Sequence, residues 1–291
     1  LSTGADIFLA NALETGALSY LAKWLQGRKF VFDYVDHYAI LARFEGDKLR
    51  TYYTPSLQKV IPNLADHVIV VKEEYRKRCL SYGVPDCKIT VIPDGVDTRK
   101  FNPNVKGEEI RKQLGIVENP LVVYVGKAEE YYNLDILITA ASIVVKSEPS
   151  AKFLLVGPGR SLTRLEALAR NLKVSESTIF AGFQPYERIP HLIGAADVAV
   201  FPYPEGLAVC EYMACGKPIV KPRGRVVDML EHLESGFLTK DHTPRSFAEG
   251  IIEMLRNRRL AAKLGNNARR IAVEKHDWEF LADKYVRVLQ S

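Results

Sequence analysis

Short apolar runs of strand length alternate along this chain with longer stretches of helical period, and that alternation restricts the fold more than any other feature. Asp6–Ala10 is followed by the helical Ala12–Leu25, then come Phe30–Tyr34, His67–Val71 with the helical Glu73–Tyr82, and Ile89–Pro93. A second series runs through Leu121–Gly126, Lys152–Gly157, Thr178–Gly182, Asp197–Phe201, Pro218–Lys221 and Gly236–Leu238, with helical segments between. The runs are apolar throughout instead of alternating, which is the pattern of strands covered on both faces. Parallel sheets with helices on either side are therefore expected. Two such series in 291 residues predict two domains of α/β class.

Between the series, Ile92-Pro93-Asp94-Gly95-Val96-Asp97 and Phe101-Asn102-Pro103-Asn104 concentrate turn residues, so a hinge is expected there. Residues 1–103 then form a first domain with the hinge, 104–275 a second domain, and 276–291 a closing helix that packs toward the first. The first series holds about four strands and no opening strand with a glycine-rich turn; the chain is expected to start in mid-fold at Leu1. Arg256–Lys275 is a basic helical stretch, read either as a solvated face or as contact with an anionic membrane. Trp278–Leu289 is amphipathic, with Trp278, Leu281, Ala282, Tyr285 and Leu289 at helical spacing.

Composition removes several classes of function. An apolar content of 47% against 26% charged excludes a disordered tail, and no apolar run approaches the roughly 20 residues that span a bilayer. The net charge of +5 has no basic block, which argues against a nucleic-acid binder. Cys79, Cys87, Cys210 and Cys215 have neither metal-finger spacing nor the density of a disulfide scaffold, so reduced thiols in a cytoplasmic protein are expected. The six histidines share no metal-ligand spacing with one another or with the cysteines, and no metal site is expected.

The richest segment is Tyr203-Pro204-Glu205-Gly206-Leu207-Ala208-Val209-Cys210-Glu211, running on to Lys217-Pro218. It follows a strand and opens a helix, the junction at which open α/β sheets bind ligands. Gly206 lets the backbone approach a ligand closely, and the amides of Leu207, Ala208 and Val209 at a helix start favour anionic oxygens. Glu211, one turn inside, can accept from vicinal sugar hydroxyls. Glu205 reads equally as an acid that complements the helix dipole.

Glu-Gly…Glu-x-Met-Ala-Cys-Gly-Lys-Pro, together with Val91-Ile-Pro-Asp-Gly-Val-Asp97 and Phe101-Asn-Pro103, resembles the retaining glycosyltransferases of family four. Val123-Tyr-Val-Gly-Lys127, Phe153-Leu-Leu-Val-Gly-Pro-Gly159, Phe180-Ala-Gly-Phe183, Ala195–Pro202 and Asn267…Trp278 match in order, over most of residues 60–291. The resemblance implies the GT-B fold, two Rossmann-like domains whose sheets face a central cleft, with acceptor on the first and a nucleoside-diphosphate sugar such as a UDP-sugar on the second. It makes Glu211 the acid at the ribose hydroxyls, Glu205 the acid at the donor sugar, and Gly206–Val209 the diphosphate-binding helix start. Gly126 and Lys127 open the second domain, with Lys127 as the cation that steadies the leaving diphosphate. Gly182 and Phe183 fall in the base-contacting loop, with Phe183 read equally as a loop anchor in the core, and Gly157, Pro158 and Gly159 read either as part of the site or as a turn. His37, with Asp36 as an alternative helix cap, lies where the family carries an acid–base or sugar-orienting His.

Two departures stand out. Glu205 and Glu211 form Glu-x5-Glu where the family has Glu-x7-Glu, and Tyr132-Asn133 stands where it places Lys-Gly. Arg160, Lys217, Arg223 and Arg225 are the candidates for the missing cation, with packing or solvent exposure an equal reading for Lys217, which follows Gly216 immediately before a strand. Retention through same-face attack, with the leaving phosphate deprotonating the acceptor hydroxyl, requires no protein nucleophile and no cofactor. No Gly-x-Ser-x-Gly, Walker-type loop or Asp-x-Asp occurs; the nearest approach to the last, Glu45-Gly-Asp47, reads as a turn. The acceptor is expected to be a polysaccharide, lipid-linked or small-molecule hydroxyl, with the protein touching a membrane at most peripherally. The alternatives are a two-domain nucleotide- or sugar-binding protein without turnover, and a phosphorylase- or synthase-like enzyme acting on a soluble sugar phosphate.

Overall fold

A computed structural model describes residues 5–203, 206–224 and 229–291. The described residues divide into two units: one runs through Asp94 and takes up Glu279–Ser291 again, and the other is Gly95–Trp278.

In the first unit β1 (Ile7–Ala10), α1 (Leu13–Gln26), β2 (Lys29–Tyr34), α2 (Tyr38–Glu45), α3 (Lys48–Leu64), β3 (His67–Val70), α4 (Glu73–Ser81) and β4 (Ile89–Val91) follow one another. The strands pair in the order β1-β2-β3-β4, all parallel. Phe30, Phe32, Tyr34, Val68 and Val70 are buried on one face of this sheet, against Leu13 and Ile61. Val31, Ile69 and Ile92 are buried on the other. Burial on both faces is why these strands read as continuous apolar runs.

The helices α2 and α3 have no counterpart in the hydrophobic periodicity. The buried stripe of α3 is Thr54, Gln58, Ile61 and Pro62, half of it polar, and Pro55 and Pro62 lie inside the helix where proline normally signals an end. Between the two helices Gly46 takes a left-handed conformation (φ 72°) and Asp47 caps the next helix by accepting from the Arg50 amide at 3.0 Å, so Glu45-Gly-Asp47 is a turn.

The second unit contains α5 (Glu108–Gln113), β5 (Leu121–Val125), α6 (Leu134–Ser147), β6 (Lys152–Val156), α7 (Leu162–Asn171), β7 (Thr178–Gly182), α8 (Ile189–Gly194), β8 (Val198–Val200), α9 (Leu207–Ala214), β9 (Ile219–Pro222), β10 (Phe237–Thr239), α10 (Pro244–Arg256) and α11 (Arg258–Lys275). Its six-stranded parallel sheet has the order β10-β9-β8-β5-β6-β7. Every residue of β5 and β8 is buried. Both units are thus Rossmann-like parallel α/β layers.

The final helix, α12 (Trp278–Gln290), buries Leu281 and Val288 against Val31, Ile69 and Ile92, with Tyr285 and Leu289 packed beside them. The expected stripe is corrected at two positions. Trp278 is 44% exposed and Ala282 is exposed, because the face against the sheet repeats as 281, 285, 288 and 289.

Candidate functional site

In the second unit the chain moves from β5 outward to β6 and β7, then returns to the other side of β5 for β8, β9 and β10. The loops after β5 and β8 therefore leave in opposite directions and open a crevice at the C-terminal ends of these two strands. Loop 126–128 follows β5, and the segment from Phe201 to Gly206 leads from β8 into α9. Tyr212 of α9 ties the two together: its hydroxyl accepts from the Val125 amide at 2.6 Å and lies 3.3 Å from the Val125 carbonyl. Phe201 stacks on Tyr124 with centroids 5.6 Å apart, and a Cβ on Gly206 would run into the Phe201 ring. Packing dictates glycine at 206.

Three glycines at adjoining strand ends line up beside this crevice. The Gly126 amide donates to the Val156 carbonyl at 2.9 Å, and the Gly157 amide donates to the Gly182 carbonyl at 2.8 Å. A Cβ on Gly157 would overlap the Gly126 carbonyl oxygen, and its φ of 132° is a conformation that other residues rarely adopt. A Cβ on Gly159 would likewise overlap the Ala128 backbone. These glycines bring the ends of β5, β6 and β7 closer than side chains would permit.

Helix α9 starts at Gly206 with no side-chain cap. The Val209 amide donates to the Gly206 carbonyl at 2.9 Å, so it is committed within the turn. The anion-favouring start narrows to the amides of Leu207 and Ala208, which a helix cannot satisfy internally. One turn on, Glu211 is only 6% exposed, and burial pushes its carboxyl up to about 7. The Tyr186 hydroxyl and the Lys100 charge nearby both favour its ionised form. Lys100 Nζ stands 4.0 Å from the centre of the Tyr186 ring, and Phe101 lies against the same ring at 5.6 Å. Sequence reasoning missed Tyr186 and Lys100, since neither belongs to a motif and only the folded chain brings them to Glu211.

The remaining predicted residues fall as follows. Lys127 is exposed in the loop after β5, its carbonyl accepting from the Tyr124 hydroxyl at 2.9 Å. Phe183 is 73% exposed after the left-handed Gly182, which rules out the reading of it as a core anchor. Glu205 and Arg225 lie outside the described residues. Lys217 is not available to a ligand, because its ammonium donates to the carbonyls of Gly194 and Ala196 at 2.7 and 2.8 Å at the end of α8. Arg160 pairs with Glu129 at 3.3 Å on the surface, and Arg223 is exposed. Asn133 keeps the left-handed backbone (φ 55°) that the family's glycine would supply, while Tyr132 joins Phe201 and Tyr203 in edge-to-face contacts. The cation of that position is replaced by an aromatic cluster.

His37 belongs to the first unit, where it immediately precedes α2 after the end of β2; it, not Asp36, is the residue at the helix cap, and its side chain makes no capping bond. Its Nδ1 is buried without a hydrogen-bond partner among the described residues. Burial, and then the Arg78 guanidinium, hold its pKa below the ordinary value, which keeps the ring neutral near pH 7. Among the described residues no group of three His, Cys, Asp or Glu side chains is placed to hold a metal ion, and no helix is long and apolar enough to cross a membrane.

Comparison with known proteins adds the following. The model of the family described as glycosyl transferases group 1 matches residues 106–271, and that of glycosyltransferase family 4 matches residues 2–100. An uncharacterized glycosyltransferase of Methanocaldococcus jannaschii is 27% identical over 230 residues, 76% of this chain and 59% of that protein. A D-inositol 3-phosphate glycosyltransferase of Acidothermus cellulolyticus is 33% identical over 212 residues, 68% of this chain and 47% of that one. The chain thus spans roughly half to three-fifths of the length of these relatives. Anabaena HepE, solved in complex with UDP and glucose, superposes with a TM-score of 0.84 at 24% identity, over 98% of this chain and 78% of that one. This likeness establishes the fold as the GT-B class.

Proposed function

The chain belongs to the glycosyl transferases group 1 family, and from that premise we propose that it moves a hexose from a nucleoside-diphosphate sugar to an acceptor hydroxyl, with retention of configuration and without a metal ion. The observation that carries this reading is the Glu211 carboxyl, buried one turn inside the helix that starts at the crevice between β5 and β8. A carboxyl kept in such a place with no salt-bridge partner among the described residues costs stability, and sites accept that cost for binding.

Glu211 accepts the ribose hydroxyls of the donor, and the amides of Leu207 and Ala208 face the diphosphate. Gly126 and the glycines beside it leave room for the phosphates, and Lys127 stabilises the negative charge that grows on the leaving diphosphate. Phe183 offers an exposed ring and loop backbone to the base. Glu205 is assigned to the donor sugar by position alone. In the reaction the bond from the anomeric carbon to the diphosphate oxygen breaks, the acceptor oxygen bonds the same face of that carbon, and the leaving phosphate oxygen takes the acceptor proton. Neutral His37 serves as a hydrogen-bonding group for the sugar or the acceptor.

The acceptor is a glycan, lipid-linked or small-molecule hydroxyl; a named relative that acts on an inositol phosphate is compatible with the last. Peripheral membrane contact through the basic α11 predicts flotation with anionic vesicles that weakens as salt is raised. The test of the reaction is incubation with UDP- and GDP-hexoses and simple glycoside acceptors in EDTA, followed by nucleotide release and the anomeric configuration of the product. Release with a retained anomer is expected. Nucleotide binding with no release from any donor would mean a binding protein, and an inverted product would refute the mechanism.

A further inference from the structure

Cys210 is wholly buried in the first turn of α9, in the same core cluster of the second unit as Val209 and Leu230. Two other side chains that ligate soft metals meet its sulfur there. Met229 Sδ stands 3.7 Å from Cys210 Sγ, and His276 Nδ1 stands 3.9 Å from it. The three come from separate parts of the unit: Cys210 from α9, Met229 from the segment between β9 and β10, and His276 from the residue that closes α11. The backbone of His276 is held on both sides, its amide donating to the Ala272 carbonyl at 2.9 Å and its carbonyl accepting from the Val96 amide at 2.8 Å. Methionine completes a ligand set that His, Cys, Asp and Glu alone do not form among the described residues.

We propose that Cys210, Met229 and His276 form a binding site for a soft monovalent cation, Cu(I). In a planar three-coordinate centre with metal–sulfur bonds of about 2.3 Å and metal–nitrogen bonds of about 2.0 Å, the two sulfurs stand about 4.0 Å apart and a sulfur and the nitrogen about 3.7 Å apart. The observed 3.7 and 3.9 Å lie within about 0.3 Å of these separations, so small side-chain shifts admit the ion. Thiolate and thioether sulfur select Cu(I) over harder divalent ions. Charge points the same way. On binding, the Cys210 thiol gives its proton to water, and one thiolate with a neutral imidazole and a neutral thioether carries a single negative charge. A monovalent ion makes the buried centre neutral, whereas Zn(II) would leave a net positive charge in the core. Met229 is partly exposed and gives the ion a way in from solvent. The site takes no part in the transfer reaction and does not depend on the reading of Glu211.

The experiment is anaerobic titration of Cu(I) into the reduced full chain, in competition with a chromophoric Cu(I) chelator. The exposed thiol of Cys87 is first removed by Cys87→Ser, so that surface binding does not enter the count. This protein is expected to take up one Cu(I) per chain, with the ultraviolet absorption of a thiolate–metal bond and a higher melting temperature, because the ion ties α9, the segment after β9 and the end of α11 together. Cys210→Ser in the same background loses the ion and the absorption. Met229→Leu, a nearly volume-conserving change at a partly exposed position, keeps the fold and serves as the decisive variant should Cys210→Ser fail to fold. It binds Cu(I) more weakly by at least about tenfold, the loss that even an outer-shell change can bring. Zn(II) in place of Cu(I) gives no uptake that depends on Cys210. No Cu(I) uptake by the Cys87→Ser protein, or uptake that neither Cys210→Ser nor Met229→Leu weakens, overturns the proposal. Uptake lost in Cys210→Ser but unchanged in Met229→Leu overturns the three-ligand site, and Zn(II) held through Cys210 as tightly as Cu(I) overturns the choice of a soft monovalent ion.

Discussion

Replacing Glu211 by Gln should make the unliganded protein more stable above pH 7 and no more stable below pH 4.5. An unfolded chain ionises this carboxyl around its ordinary 4.5, whereas burial raises it to about 7 in the folded protein. Below pH 4.5 both states hold the proton and the group contributes no difference. Between 4.5 and 7 the unfolded chain loses its proton first, so folding stability falls as pH rises, and above 7 the loss is complete. The interval from 4.5 to 7 is about 2.5 units, and at about 1.36 kcal/mol per unit it amounts to roughly 3 kcal/mol. Glutamine keeps the shape, remains neutral and lacks this slope. At about 2–4 °C per kcal/mol for a unit of this size, the melting temperature at pH 8 should rise by roughly 6–12 °C. Melting curves of both proteins from pH 4.5 to 8.5, without nucleotide, make the comparison. Parallel pH profiles would refute the reasoning, because they would mean that Glu211 ionises in the folded protein as freely as in water.

Three further substitutions separate binding roles from structural ones. Lys127→Met should leave stability within about 0.5 kcal/mol, since the side chain is exposed, but lower kcat about a hundredfold with a smaller change in donor KM; an unchanged kcat would exclude Lys127 from charge stabilisation. Lys217→Met should cost about 2–4 kcal/mol by stranding the Gly194 and Ala196 carbonyls, measured by urea unfolding, and leave nucleotide affinity alone; weakened binding by the folded variant would return Lys217 to the site. Gly157→Ala should destabilise the second unit by about 2 kcal/mol or more and reduce nucleotide affinity, because the added methyl overlaps the Gly126 carbonyl and φ is 132°. Wild-type stability there would show that the glycine floor can open without cost.

Strands buried on both faces, such as β2, β5, β6 and β8, announce themselves as continuous apolar runs, and all ten strands lie within a residue or two of the runs Asp6–Ala10 through Gly236–Leu238. The helices α2 and α3 left no such mark, because the inward face of α3 contains Thr54 and Gln58 and its interior holds two prolines. At the site, the motif around Gly206 and Glu211 was legible since its glycine and its acid are spaced along one helix start. Tyr186 and Lys100 were not, as they reach Glu211 from 25 and 111 positions away in sequence, through tertiary folding alone. For Lys217 the sequence left a free cation and a packed lysine equally open, and only the fold, which sets two carbonyls at the end of α8 around its ammonium, decides for the packed one.

The site proposed for the second unit takes a nucleoside diphosphate without a metal ion. Its most direct test is a thermal-shift panel of UDP, GDP, ADP and TDP with and without EDTA, because a ligand that binds only the folded protein must stabilise it, by about 2.7 kcal/mol at a hundred times Kd. One nucleotide should raise the melting temperature equally with and without EDTA, and Glu211→Gln should lose that shift. A wild-type protein that no nucleotide stabilises, or one whose shift disappears in EDTA, would contradict the account.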